Sequence, residues 1–176
     1  MRVIGLAGWS GAGKTTLIEK VIPEIRRRGL TVSTLKHAHH AFDMDKPGKD
    51  SHRHREAGAE QVLVASGKRL ALLTELRDGP EPRLGDLLRM FAPVDIVLVE
   101  GFRSGAHRKI EIYRAANGKP LRHSEDEQIV ALISDLAEPP AHLPHAHIDD
   151  VAAAADLLLA HAQPLEAALR ILEAQG

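Results

Sequence analysis

The chain of 176 residues contains no cysteine at all. That absence excludes disulfide scaffolds, thiol catalysis and thiolate metal sites, and it fits a reducing compartment. Charge of one dominant sign is missing too: Lys and Arg number 23 against 24 for Asp and Glu. No overall field therefore draws the protein to nucleic acid or to an anionic membrane, and any basic site must be local. Long apolar runs are also absent. The run that ends at Gly8 is too short for a signal-peptide core, and the longest later one, Val151 to Ala160, is interrupted by Asp156. The expectation is a cytoplasmic protein with no nucleic-acid and no membrane partner. What the chain does have is 44% hydrophobic residues, enough to bury an ordinary core, and it is expected to form one domain over residues 1–176.

Periodicity gives an α/β reading. Val3 to Ala7 is a short apolar run, and Thr15 to Arg28 carries Leu17, Ile18, Val21, Ile22 and Ile25 on one helical stripe, with Gly29 as the stop. Thr31 to Leu35 is β-branched and apolar, so the opening reads strand, loop, helix, strand, with the two strands parallel. Further on, a short helix is expected at Ser51 to Ala57, and Val62 to Ala65 with Arg69 to Thr74 read as a β-hairpin. Leu84 to Phe91 has helical spacing, and Val94 to Val99 is a buried strand ending in Glu100-Gly101. Lys109 to Tyr113 alternates as a half-exposed strand would, whereas the uniformly apolar Ile129 to Ile133, ending in Ser134-Asp135, reads as the more central strand. Helices at about Asp150 to His161 and from Pro164 close the chain. The fold class is a three-layer P-loop NTPase fold, with a mainly parallel sheet and a β-hairpin extension.

The chemistry concentrates at Gly8-Trp9-Ser10-Gly11-Ala12-Gly13-Lys14-Thr15, a full P-loop pattern that follows a strand and opens a helix. Glycines let successive N–H groups curl toward phosphate oxygens, and the helix dipole adds positive potential. Lys14 would bridge the outer phosphates, the Thr15 hydroxyl would ligate magnesium, and Thr16 would hold the inner phosphate. Glu100 is the candidate Walker B carboxylate, at the metal or the attacking water; a local strand-end role is the plain alternative. The Gly101 backbone could approach a γ-phosphate. Asp43 and Asp45, in the loop after the second strand, could reach the magnesium, although a solvated loop needs no function for them. His37, His39, His40, His52 and His54 could bind zinc through imidazole, but their spacing matches no standard zinc motif. The later His142, His145 and His147 lie in a proline-rich loop and read as surface decoration.

Three blocks carry a resemblance: GWSGAGKTTLIEKVIP, LKHAHHAFDMDKPGKDSHRHREAGAEQVLVAS and VDIVLVEGFR, together covering most of residues 1–103. They resemble the MobB family of molybdopterin-guanine dinucleotide biosynthesis adaptor proteins. The middle block is the specific one, because P-loops serve hundreds of functions whereas Lys36-His37 with Asp45-Lys46-Pro47-Gly48-Lys49-Asp50-Ser51 is distinctive. The resemblance implies a GTP-binding homodimer with weak hydrolysis that assists the guanylyltransferase attaching GMP to molybdopterin, in contact with molybdopterin-handling proteins. It matches Gly8, Gly11, Gly13, Lys14, Thr15 and Thr16 to the family's phosphate loop, Asp45 to the aspartate of its second loop and Glu100-Gly101 to its Walker B end. With the residue reading, the expected site is nucleotide contacts at these loop residues, Ser10, Ala12 and Gly101, catalytic roles for Lys14 and Glu100, and magnesium at Thr15, Asp45 and Glu100. An Asn/Thr-Lys-x-Asp string for guanine is absent, which makes Asp135 the candidate substitute as base reader. The hairpin edge at Arg69 to Thr74 is the candidate dimer contact.

Two other readings share the same motifs. A P-loop small-molecule kinase usually adds an arginine-rich lid, and the arginines here are few: Arg26, Arg27 and Arg28 at a helix end, then Arg53 and Arg55. A nucleotide-gated metal-delivery protein would use the histidine loop.

Overall fold

The computed structural model describes residues 1–38 and 42–174. The chain divides into two compact units, one of residues 1–37 and 84–176 and one of residues 38–83.

In the first unit the elements are β1 (Arg2–Ala7), α1 (Lys14–Arg27) and β2 (Val32–Lys36). In the second they are α2 (Asp50–Glu56), β3 (Gln61–Ala65) and β4 (Leu70–Thr74). The first unit then resumes with α3 (Leu84–Arg89), β5 (Ile96–Glu100), β6 (Lys109–Tyr113), β7 (Ile129–Ser134) and β8 (His145–His147). It closes with α4 (Val151–His161), β9 (Gln163–Pro164) and α5 (Leu165–Glu173).

The sheet of the first unit runs β2-β5-β1-β6-β7-β8, with β9 alone antiparallel, against the N-terminal half of β1. Because side chains alternate across a strand, Ile96 and Leu98 enter one core with Ile4, Leu6 and the apolar stripe of α1, while Val97 and Val99 enter a second core with α3 and α5. The first core also takes in α4, so helices cover both sheet faces in three layers. The α1 stripe is buried at Leu17, Val21 and Ile25, each worth about 1.5–3 kcal/mol by area removed from water. Among the described residues no helix is long and apolar enough to cross a membrane.

Two strand assignments need correction. β6 lies beside β1, between it and β7, and is more central than β7. It is not half-exposed either: Lys109 is 2% and Glu111 0% exposed. The polar residues are satisfied inside. Lys109 Nζ donates to the Arg103 carbonyl at 3.0 Å and to Asp126 Oδ2 at 2.9 Å, and the Glu111 carboxylate accepts the backbone N–H groups of Arg122 and His123 at 2.7 and 3.0 Å. Alternation marked the two faces correctly, but the polar face is closed by internal partners instead of water. Above this network His107 packs so closely on β1 that a side-chain carbon at Gly5 would stand 2.4 Å from its ring nitrogen.

In the second unit β3 and β4 form the expected antiparallel hairpin. It leaves Leu63, Val64, Leu70 and Leu72 exposed, Leu70 by 70%. Arg55 gathers Asp43, Asp45 and Glu75, at 3.0, 3.3 and 2.8 Å. Glu75 and Asp43 hold the Arg55 guanidinium more firmly protonated than usual, the Glu75 hydrogen bond first.

Candidate functional site

Strand order decides which loops meet. Parallel strands put their carboxyl ends on one edge of the sheet, and a crevice opens there where connections leave in opposite directions. From β1 the chain crosses to β2, beyond β5, and from β5 it crosses back to β6 on the other side of β1. The P-loop follows β1 at this switch point.

The loop is built by backbone. Gly8, Gly11 and Gly13 all have positive φ, at 139°, 80° and 91°. At Gly8 a side chain is excluded twice over, since its first carbon would lie 2.4 Å from the Ile112 carbonyl of β6. Lys14 Nζ donates to the carbonyls of Gly8 and Trp9, both at 3.0 Å. An ammonium has three N–H donors, so one remains for a phosphate oxygen. The Lys14 pKa is lowered, chiefly by burial; Glu100 opposes this, while the charges of Arg103, Lys36 and Arg122 add to it. Cations thus already crowd this ammonium, and an anion would relieve them.

Glu100 ends β5 in register with Leu6 of β1 on one side and Lys36 of β2 on the other. Its side chain is 15% exposed, with Lys36 Nζ at 3.9 Å. Gly101 turns at φ 99°, where a side-chain carbon would meet His37 at 2.5 Å, and Phe102 follows at φ 50°, its ring 4.6 Å from the His37 ring. A non-glycine residue in the left-handed region costs of order 1 kcal/mol, which marks the turn after Glu100 as held by its surroundings. Thr15 and Thr16 are exposed in the first turn of α1. The Thr15 hydroxyl and the Glu100 carboxylate are hard oxygen donors of the kind magnesium takes together with phosphate oxygens, so this donor set fits the ion.

Asp135 lies after β7, and one of its oxygens accepts the Ala115 N–H at 2.7 Å while Arg114 approaches the other at 3.8 Å. Arg114 also reaches Asp149 at 3.5 Å, and it sits beside Gly13, where a side-chain carbon would stand 3.3 Å from Arg114 Nε. Asp45, in the second unit, accepts Ser51 Oγ at 2.8 Å and the Lys46 N–H at 2.9 Å besides its Arg55 contact. Of the histidines, His37 packs on Phe102, His52 pairs with Glu56 at 3.2 Å, and His39 and His40 lie outside the described residues. No group of three or more His, Asp or Glu among the described residues is arranged to hold a metal ion. Arg27 and Arg28, at the far end of α1, pair with Glu24, and Arg55 is spent on its three carboxylates.

Sequence reasoning assigned no role to Arg103, Arg114, Asn117 or Arg122, which come to the P-loop from the segments after β5 and β6. For Arg103 a signal was present, since it lies just beyond the strand end at Glu100; the others follow β6, whose place beside β1 no local pattern revealed.

The family model of molybdopterin guanine dinucleotide synthesis protein B, MobB, matches residues 3–135. The chain is 41% identical over 162 residues to the molybdopterin-guanine dinucleotide biosynthesis adapter protein of Escherichia coli K12, covering 89% of this chain and 91% of that one. It is 43% identical over 136 residues to the adapter protein of Haemophilus influenzae, covering 76% and 74%. The crystal structure of Bacillus subtilis MobB superposes with a TM-score of 0.70 at 26% identity, covering 93% of this chain and 99% of that one. A crystal structure of molybdopterin-guanine biosynthesis protein B superposes at 0.67 and 29%, covering 90% and 97%. With the P-loop, the strand order and these likenesses in agreement, the chain belongs to the MobB family.

Proposed function

We propose that this protein is a GTP-binding adapter in molybdenum cofactor biosynthesis, acting in the cytoplasm. It assists the guanylyltransferase that attaches GMP to molybdopterin to form molybdopterin guanine dinucleotide. The observation that carries the nucleotide part is the preformed cradle: glycine-shaped backbone, Lys14 fixed on two carbonyls, and Glu100 at the adjacent strand end. Magnesium, held by Thr15 and Glu100, would neutralise charge between the outer phosphates. Asp135 keeps lone pairs beyond the one used by Ala115, enough to accept from the Watson–Crick edge of guanine, which donates twice where adenine donates once.

Calorimetric titration with GTP and with ATP, each with magnesium, tests this reading, and preference for ATP would overturn the guanine assignment. In the same assay Glu100→Gln is expected to bind GTP within about threefold of the parent protein while losing roughly 10²-fold or more of the slow magnesium-dependent hydrolysis. Equal loss of both would reduce Glu100 to a structural role.

The hairpin's apolar face supports a homodimer, since Leu63, Leu70 and Leu72, which share one face by register, expose side chains that a monomer has little reason to carry together. Sedimentation should give a dimer at micromolar concentration, with Leu63→Lys/Leu72→Lys shifting it to monomer. A monomeric parent protein removes the idea.

A further inference from the structure

The segment after β6 is tied down around one side chain. Glu111, fully buried on β6, uses its carboxylate to hold the backbone N–H groups of Arg122 and His123. Burying a carboxylate is costly unless it is hydrogen-bonded, so this interaction is a built anchor for those two residues. Farther out, the same segment grips the P-loop twice. Trp9 Nε1 donates to the Pro120 carbonyl at 2.8 Å, and Asn117 Nδ2 donates to the Ser10 carbonyl at 3.1 Å. Between these tethers the Arg122 guanidinium stands over the Trp9 ring, 4.9 Å from its centroid. Its backbone is fixed by Glu111, and its head is fixed by the indole of the second P-loop residue.

No carboxylate pairs with the Arg122 side chain among the described residues, in contrast to Arg28, Arg55, Arg77, Arg89 and Arg114. The Trp9 carbonyl is also one of the two that hold the Lys14 ammonium. Two cations are therefore brought to the same edge of the loop by separate tethers, an arrangement that repels itself until an anion enters. That edge is where the P-loop lysine meets the β- and γ-phosphates, whereas the amides at the start of α1 serve the inner ones.

The geometry points to Arg122 as a phosphate ligand supplied by the chain itself, contacting the terminal phosphate of a bound nucleoside triphosphate from its stack on Trp9. A planar guanidinium suits both tasks, since its charge can rest over the indole while its N–H edge addresses phosphate oxygens. In this position it also meets charge that grows on the terminal phosphoryl group during hydrolysis, the task of an arginine finger. The inference rests on the P-loop binding a nucleoside triphosphate.

Titration of the full chain with Mg·GTP and with Mg·GDP tests it. Arg122→Ala should weaken GTP binding about tenfold or more and leave GDP within about threefold. Arg122→Lys should recover only part, because an ammonium keeps the charge and loses the planar, two-pronged N–H edge. Equal weakening for both nucleotides, or no change for GTP, overturns the role of Arg122. Failure of the parent protein to bind either nucleotide would instead remove the reading beneath it.

Discussion

Replacing Lys14 with alanine is expected to abolish triphosphate binding at ordinary concentrations while leaving the protein folded. The Lys14 ammonium is partly desolvated, which strengthens a contact to phosphate relative to water, and each charge-assisted hydrogen bond contributes about 1.5–3 kcal/mol. Loss of one such contact together with the long-range attraction of the charge comes to about 3–4 kcal/mol, roughly 10²- to 10³-fold in Kd. The fold should survive because the loop's shape does not depend on the lysine alone. Its glycines set the curl, the Ala12 N–H closes on the Trp9 carbonyl at 3.1 Å, and Trp9 and Ser10 are held from outside by Pro120 and Asn117. Affinity within threefold of the parent protein, measured by titration on a sample with an unchanged denaturation midpoint, would sink the P-loop assignment.

The second large effect is a loss of stability in mild acid traced to His107. Neither ring nitrogen has a hydrogen-bond partner among the described residues, and burial, aided by the Lys109 charge and opposed by Asp126, holds the pKa down at about 4 from an ordinary 6.5. The unfolded chain therefore takes up a proton at a higher pH than the folded one. Stability from this residue is complete above about pH 6.5 and drains away as pH falls toward 4. A depression of that size corresponds to about 3 kcal/mol in all. Denaturant unfolding of the parent protein and of His107→Leu at pH 7, 5.5 and 4.5 checks it. The variant should be nearly as stable at pH 7, since an apolar side chain loses no hydrogen bond there, and should lose less on acidification. Parallel pH profiles would show that other groups, such as the depressed Asp95 and Glu24 carboxylates, account for the whole effect.

Much of the fold was legible because local rules and global packing agree. The 3.6-residue stripe on α1, the glycine-bounded run of β1 and the buried run of β5 each point to one arrangement, and the P-loop can only lie between such a strand and helix. The positions of Glu100 and Asp135 were legible for the same reason: one ends β5 and the other directly follows β7, and apolar runs mark where such strands stop. The error at β6 shows the limit. Lys109 and Glu111 look solvated in sequence, because polarity on one face of a strand ordinarily means water there. Apart from the nearby Arg103 carbonyl, their partners, Asp126 and the backbone of Arg122 and His123, lie more than ten residues away.

The sequence by itself therefore determined the glycine-built loop between β1 and α1, the α/β layering and the place of the acids at the strand ends, since each follows from spacing within a short stretch of chain. Only the tertiary structure decided that β6 stands next to β1, that a charged face is sealed internally, and that Arg122 stacks on Trp9 beside Lys14. Those depend on which distant segments meet, and periodicity carries the direction in which a side chain points but not the identity of what it will find there.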